Sequence, residues 1–160
     1  MLKIISGGQT GVDRGALDAA LELGVECDGW CPTGRLAEDG EIPKRYPVVE
    51  LANAGYAERT VQNVTDSDGT LIISNGEPIG GTRETVERCV ENDKPYLVIN
   101  YKKMPTIDAG ETALQFLRSH HIRRLNVAGP RASQWPEGHA VTYLIISLIL
   151  RRISGQNDAN

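Results

Sequence analysis

The sequence predicts an α/β fold, a three-layer sandwich in which helices cover both faces of a mostly parallel central sheet. Short apolar runs alternate with stretches of helical periodicity, which is typical of strands joined by crossover helices. Glycine-rich turns follow three of these runs, at residues 6–13, 74–84 and 129–133. The length of 160 residues suits one domain. We therefore expect a single domain over residues 1–153 and a frayed polar tail over residues 154–160.

Each predicted element has its own signal. Apolar runs predict strands, and apolar residues at helical spacing predict helices. The expected strands span residues 2–5, 25–30, 48–51, 69–74, 95–100 and 124–128. The expected helices span residues 13–23, 56–66, 82–92, 107–120 and about 138–153. Gly24 follows the first helix in the position of a C-terminal cap. Gly15 lies one turn into that helix and is expected to let it pack close to the sheet.

The three glycine turns are expected to meet in space. Right-handed crossovers bring the loops that follow parallel strands to one edge of the sheet. Ligands of open α/β sheets bind at this carboxyl edge. The turns follow the predicted strands at residues 2–5, 69–74 and 124–128, so the sequence predicts a ligand site that three loops share.

The first turn, Gly7-Gly8-Gln9-Thr10-Gly11, joins an apolar strand to a helix. Its glycines let backbone amides approach an anion, and the helix start adds unpaired amides and the positive end of a dipole. Thr10 can donate its hydroxyl to phosphate. No Gly-Lys-Ser/Thr sequence follows, so this is not a Walker loop. The turn predicts a cradle for a phosphate-bearing ligand, and a tight turn that binds nothing is the alternative.

Two charged residues follow this turn. Asp13 lies near the helix start, where a carboxylate satisfies amides but would repel an anion. It is therefore a helix cap, or a contact to a ribose hydroxyl or a metal. Arg14 would offset the charge of Asp13 and could reach an anion.

The second and third turns supply further candidates. Gly80 and Gly81 precede a helix, and Thr82 can cap that helix or contact phosphate. Glu84 falls in its first turn, where the dipole favours a carboxylate. Its alternative role is to hold ribose or to act as an acid or base near a glycosidic carbon. In the third turn, Arg131 is a fork donor for phosphate or carboxylate, with a surface salt bridge as the alternative.

Composition excludes several classes of function. The formal net charge of −4 shows no basic excess for nucleic-acid binding. The longest apolar stretch, residues 143–150, is far shorter than the roughly 20 residues of a membrane span. No secretory or transit pattern is visible, so we expect a cytoplasmic protein. Cys27, Cys31 and Cys89 form no CxxC pair. We expect buried thiols and no metal site, with a metal or redox role for the first two as the alternative.

The turns together resemble a known superfamily. Gly7-Gly8-Gln9-Thr10-Gly11-Val12-Asp13 with Gly80-Gly81-Thr82-Arg83-Glu84 resembles the Rossmann-like proteins that include the lysine-decarboxylase-like (LOG) proteins and DprA. In particular, the chain is similar to the circularly permuted YpsA-like branch, which is described as molybdenum carrier proteins. Segments 29–47 and 129–133 also resemble that branch, and the likeness spans residues 2 to about 153.

The resemblance implies a Rossmann-like fold with a nucleotide or nucleotide-derived ligand at the carboxyl edge. A carrier would hold the molybdenum cofactor, a pterin that bears a phosphate. LOG enzymes instead cleave a nucleoside monophosphate to base and ribose phosphate, using an arginine and the glutamate of a PGGxGTxxE motif. The segment from Pro78 to Glu84 lacks the third glycine of that motif, and Glu84 follows Thr82 by two residues instead of three. This departure weakens the hydrolase role of Glu84.

The resemblance also gives meaning to the long polar segment at residues 31–47, which has no convincing periodicity. Loops of this length are often functional. Arg35, Glu38 and Asp39 are therefore expected to complete the site from one side, and a solvated charged loop is the alternative. The predicted ligand-binding residues are Gly7, Gly8, Gln9, Thr10, Gly11, Asp13, Arg14, Arg35, Glu38, Gly80, Gly81, Thr82 and Arg131.

Two functions follow from these observations. The first is a protein that binds a phosphorylated cofactor or nucleotide-like ligand, with the molybdenum cofactor as the cargo that the resemblance implies. The second is a LOG-like N-glycosidase of nucleoside monophosphates, with Glu84 and Asp13 as candidate catalytic residues. The last helix carries an apolar stripe that is expected to be buried in the core or in a homodimer. The stripe consists of Val141, Leu144, Ile145, Leu148 and Ile149.

Overall fold

The computed structural model describes residues 1–157, and its centre is a sheet of five parallel strands. The elements, in chain order, are β1 (Lys3–Ile5), α1 (Val12–Glu22), β2 (Cys27–Asp28), β3 (Trp30–Cys31), β4 (Leu36–Ala37), β5 (Gly40–Glu41), β6 (Val49–Glu50), α2 (Tyr56–Thr65), β7 (Gly69–Ser74), α3 (Gly80–Glu91), β8 (Tyr96–Asn100), α4 (Thr106–Ser119), β9 (Arg124–Ala128) and α5 (Gly138–Asn157). The order of strands in the sheet is β2-β1-β9-β7-β8, and every pairing in it is parallel. The predicted parallel sheet is confirmed.

Helices cover both faces of this sheet. On one face α5 packs between α1 and α4, and on the other α2 packs against α3. The apolar side chains of the three central strands are buried because helices cover the sheet on both sides. These residues are Ile4, Ile5, Leu71, Ile72, Ile73, Leu125 and Val127. This arrangement confirms the predicted three-layer, Rossmann-like sandwich. None of the helices within residues 1–157 is both long and apolar enough to cross a bilayer.

The predicted strand at residues 25–30 is interrupted at Gly29. β2 ends just before this glycine, and β3 begins just after it and pairs with β6 in a separate two-stranded sheet. Gly29 has a φ of 152°, and a Cβ on it would overlap the carbonyl oxygen of Ser6. The chain therefore turns away from the main sheet where it passes directly against the end of β1.

The first helix contacts a different neighbour than predicted. A Cβ on Gly15 would lie 2.5 Å from the carbonyl oxygen of His139. Gly15 therefore allows α1 to approach α5, whereas the sequence suggested an approach to the sheet. Gly24 has a φ of 65° just after α1, which confirms its predicted role at the C-terminal end of the helix.

The last helix is longer than predicted and is central to the core. It continues past residue 153 to Asn157, and residues 158–160 of the predicted tail lie outside the described residues. Val141, Ile145 and Ile149 are buried by the chain itself, whereas Leu144 is 55% exposed. Packing within the chain therefore explains the burial of most residues of the predicted apolar stripe. The homodimer stays a prediction.

The three cysteines are buried and free. Burial raises the pKa of the Cys27 thiol to about 11, so it stays protonated near neutral pH. The prediction of buried thiols is confirmed.

We expect Gly29→Ala to lower the free energy of unfolding by about 3 kcal/mol or more, because the added methyl group has no space beside Ser6. Gly34→Ala is the control, since Gly34 also has a positive φ but has no atom within 4 Å of the Cβ position. The control should lose about 1 kcal/mol, the conformational cost alone. Urea denaturation measures both changes. Equal losses would show that the close approach at Gly29 contributes nothing.

Candidate functional site

A cavity of about 90 Å³ lies at the carboxyl edge of the sheet, between the first turn, α2, the start of α3 and the third turn. On this measure a cavity needs about 10–15 Å³ to hold one water molecule, so there is room for a phosphate-sized group. The lining residues are Gly7, Gln9, Asp13, Tyr56, Arg59, Thr60, Asn63, Gly81, Thr82, Glu84, Thr85, Asn126, Val127, Ala128, Gly129, Arg131 and Gln134. The three glycine turns therefore share one cavity.

The predicted site residues divide into two groups. Those that line the cavity are Gly7, Gln9, Asp13, Gly81, Thr82, Glu84 and Arg131. Those outside its lining are Gly8, Thr10, Gly11, Arg14, Arg35, Glu38 and Gly80. A ligand-binding role stays a prediction for both groups, but their surroundings differ sharply.

Protein atoms cover the glycines of the first turn. The guanidinium of Arg59 occupies the space in which a Cβ on Gly7 would lie. Ile42 packs 3.2 Å from the Cβ position of Gly8, and the carbonyl oxygen of Pro130 lies 2.6 Å from that of Gly11. Glycine at these positions allows close contact between segments of the chain.

The second turn is open by comparison. No atom lies within 4 Å of the Cβ positions of Gly80 and Gly81, and Gly80 has a φ of 53°. Ile79 is the N-cap of α3 and makes no capping hydrogen bond through its side chain. The amide of Thr82 already donates to the carbonyl of Ile79. The amides of Gly80 and Gly81 have no carbonyl within the helix to bind, and Gly81 lines the cavity, so it can offer a donor to an anion there.

A buried ion pair forms the floor of the cavity. Nη1 of Arg59 lies 3.3 Å from Oδ2 of Asp13, and both side chains are about nine-tenths buried. The same carboxylate oxygen accepts a hydrogen bond of 3.2 Å from the amide of Gln9. Burial raises the pKa of Asp13, and the nearby Arg59 acts in the opposite direction. Asp13 makes no hydrogen bond that caps α1, so its observed role is to hold Arg59 and to close the first turn.

Sequence reasoning missed the contribution of α2. Tyr56, Arg59, Thr60 and Asn63 follow the i, i+3, i+4, i+7 spacing of one helix face, and all four line the cavity. The sequence does show these polar residues at helical spacing. A search for apolar periodicity does not detect them, because it identifies only the face of a helix that packs in the core. Asn63 is fixed by hydrogen bonds of 2.7 and 2.9 Å to the backbone of Trp30.

Two buried donors at the cavity lack a partner. Nε of Arg59 and Nε2 of Gln9 make no hydrogen bond with any other described residue. Buried polar atoms are nearly always hydrogen-bonded in folded proteins. Unpaired donors on two lining residues therefore favour a cavity that binds an acceptor-rich group.

A second arginine lies at the mouth of the cavity. Cζ of Arg131 is 5.1 Å from the centroid of the Tyr56 ring, and Cζ of Arg59 is 5.7 Å from the same centroid. Both cations are close enough to the ring for cation–π attraction. Glu84 also lines the cavity and pairs with Arg88 at 3.1 Å. The sequence placed Glu84 in the first turn of its helix, but α3 begins at Gly80, two residues earlier than predicted, and its first turn holds no acidic residue.

The long segment at residues 31–47 is ordered and held against the first turn. Glu38 accepts hydrogen bonds from the hydroxyl of Thr10 and from the amide and hydroxyl of Ser133. These donors lower the pKa of Glu38. Arg14 donates two hydrogen bonds, of 2.6 and 2.8 Å, to Asp39. These contacts join the segment to the first and third turns.

Arg35 shapes the same segment from inside. Its guanidinium donates to four backbone carbonyls of residues 42–48, at distances of 2.6 to 3.1 Å. A guanidinium with this many acceptors has few donors left for a ligand. The sequence placed Arg35 in the pocket, whereas the structure places it outside the lining, in the interior of its own loop. Among residues 1–157, no group of three or more histidine, cysteine, aspartate or glutamate side chains could hold a metal ion.

Two comparisons with known proteins give matches over most of the chain. Residues 4–150 match the model of the circularly permutated YpsA SLOG family. A solved structure of a protein from Syntrophus aciditrophicus SB, named "Putative molybdenum carrier protein", is 44% identical in sequence. The match covers 94% of this chain and 95% of that one, with a TM-score of 0.91. No functionally curated protein matches the chain.

The raised pKa of Asp13 gives a pH-dependent prediction. Since folding raises this pKa, the native state binds the proton more readily than the unfolded chain does. The stability of the wild type relative to Asp13→Asn should therefore fall as the pH rises from about 4 to about 7. Urea denaturation of both proteins at several pH values measures this difference. A difference that grows with pH would show that the pairing with Arg59 dominates and lowers the pKa.

Proposed function

Because the chain belongs to the circularly permuted YpsA family of SLOG proteins, we propose that it binds a phosphorylated cofactor or nucleotide-like ligand at the carboxyl edge of its sheet. The phosphate end occupies the cavity at the start of α3. The observation that carries this proposal is the uncapped start of α3 beside two unpaired buried donors, on Arg59 and Gln9. These groups are complementary to an anion with several acceptor oxygens.

The proposed division of roles follows the contacts. The amide of Gly81 receives the anion from one side, and Arg59 receives it from the floor. Arg131 reaches it from the rim. Asp13 positions Arg59 through their ion pair and does not itself need to contact the phosphate.

The proposed cargo is the molybdenum cofactor. This proposal is supported by the 44% sequence identity of the chain to the Syntrophus protein, which is named a molybdenum carrier. The phosphate of that cofactor has the same donor requirements as a nucleotide phosphate. In this binding mode the phosphate occupies the cavity at the start of α3, and the pterin and the metal extend from it.

Binding is tested by calorimetric titration of the full chain with inorganic phosphate, AMP and molybdenum cofactor. Arg131→Gln should weaken binding of each ligand about tenfold, as expected for a lost hydrogen bond to a charged group. Arg152→Gln is the control, because Arg152 is an exposed arginine paired with Glu111 on the far helices. It should leave the affinities unchanged. The proposal fails if none of these ligands binds at high protein concentration.

A second candidate function is cleavage of a nucleoside monophosphate to base and ribose phosphate. The observation that favours it is that two carboxylates, Glu84 and Asp13, line the cavity proposed to hold the phosphate. Either could act on the sugar of a ligand anchored there.

This activity is tested by incubating the protein with AMP, CMP, GMP and UMP and measuring free base. Glu84→Gln should lower the rate by about 10² or more if Glu84 is the acid or base. Glu87→Gln is the matched control, since Glu87 lies on the same helix, pairs with Arg83 and is outside the cavity lining. Absence of free base, or equal rates in the two variants, removes this candidate and leaves the binding function.

A further inference from the structure

The cavity at the carboxyl edge places a buried carboxylate beside the proposed anion. The side chain of Asp13 is only 7% exposed and lines the same cavity as Arg59. Paired with each other, these two side chains carry no net charge. An anion bound at Arg59 adds negative charge next to Asp13, where little water is present to screen the repulsion. A proton on Asp13 removes this repulsion, because it neutralises the carboxylate.

The hydrogen bonds around Asp13 leave a place for that proton. Oδ2 accepts from the amide of Gln9 and from Arg59, so Oδ1 is the atom that takes the proton. The hydroxyl of Ser6 lies near this carboxyl and donates its own proton to the carbonyl oxygen of Val127 at 2.7 Å. Ser6 therefore keeps lone pairs that can accept a hydrogen bond from a protonated Asp13. Burial raises the pKa of Asp13 and favours the same form.

The charged groups around Asp13 differ in their partners. The other charged or titratable side chains of the lining are Tyr56 and Arg59 on α2, Glu84 on α3 and Arg131 in the third turn. Glu84 pairs with Arg88, which is outside the lining. Asp13 is therefore the lining carboxylate whose partner, Arg59, is also a donor to the proposed anion.

The groups outside the lining are held by partners of their own. Arg14, the next residue of α1, pairs with Asp39 at 2.6 Å. His139 belongs to α5, which packs against α1, and it pairs with Asp18 at 2.7 Å. A proton that enters the cavity together with an anion is thus expected on Asp13.

We infer that binding of an anion in this cavity is coupled to the uptake of one proton from solvent by Asp13. The inference rests on the proposed function, in which Arg59 receives the phosphate end of the ligand, and it adds a control of that site by pH. The anion and the carboxylate compete for the charge of Arg59, and the proton leaves Arg59 to the anion. By linkage, the anion and the proton strengthen the binding of each other by the same factor.

The coupling is tested by calorimetric titration of the full chain with sulfate and with inorganic phosphate, at about pH 6 and about pH 8. Sulfate stays a dianion over this range, so a proton taken up when it binds belongs to the protein. The wild type should bind sulfate about tenfold or more tightly at the lower pH, since one coupled proton changes the affinity by up to about tenfold per pH unit. Titration in two buffers with different ionisation enthalpies counts the protons.

Asp13→Asn replaces the carboxylate by a neutral amide of similar shape and mimics the protonated state. The anion then becomes the counterion of Arg59. At about pH 8 this variant should bind sulfate more tightly than the wild type, and its affinity should change by less than about twofold between the two pH values. If Asp13 acted only by positioning Arg59, the variant would bind more weakly at both. Infrared difference spectra supply a readout without a variant: the C=O stretch of a protonated carboxyl should appear when sulfate binds to the wild type.

Two control variants separate Asp13 from its neighbours. Glu84→Gln removes the other carboxylate of the lining, and Asp18→Asn removes the partner of His139 on α1. Both should keep the tighter binding at lower pH, and Asp18→Asn should also leave the affinity itself unchanged. Thermal unfolding confirms that each variant is folded.

The outcomes are distinct. Sulfate binding that tightens at lower pH in the wild type but not in Asp13→Asn supports the coupling. If phosphate alone binds, the difference between these two proteins cancels the protons that phosphate itself takes up and decides in the same way. An affinity that is equal at both pH values in the wild type, or the same pH dependence in Asp13→Asn, overturns the coupling while the anion site stands. If neither anion binds, the proposed function fails together with this inference.

Discussion

The buried ion pair between Asp13 and Arg59 is the contact on which the site depends. It joins α1 to α2 and lies against Gly7. Glycine at this position leaves room for the guanidinium of Arg59. Removing one partner would leave an uncompensated buried charge, which costs about 3–5 kcal/mol. Together with the hydrogen bonds of Asn63 to the backbone of Trp30, this pair holds α2 and its lining residues in place.

The turns that resemble each other in sequence differ in what they do. The first turn is packed from all sides by Arg59, Ile42 and the backbone after Pro130, and Glu38 joins it to Ser133. It acts as a rigid frame. The start of α3 has open space around its glycines and no capping side chain. This arrangement suits the proposed anion site, because little would have to move when a ligand binds.

The charges around the cavity favour an anion that also has hydroxyl groups. Arg59, Arg131 and the amides of α3 attract a phosphate, while Asp13 and Glu84 repel it at short range. Asp13 is already engaged by Arg59 and by the amide of Gln9, so its repulsion is reduced. Glu84 also lines the cavity and is paired with Arg88, so each of the two carboxylates has an arginine partner.

The sequence by itself determined the parallel sheet, the five helices and the meeting of three turns at one edge. The spacing of apolar residues is a local property that identifies each strand and helix. The right-handedness of crossovers is a general rule that brings the turns to the same edge. The sequence also identified six of the cavity residues that the turns supply, together with Glu84. Only the tertiary structure decided that Arg59 lines the cavity and that Arg35 binds carbonyls of its own loop. The physical reason is that the partner of a long side chain, or the group that approaches a glycine, comes from a segment distant in sequence. No local pattern encodes which segment that is.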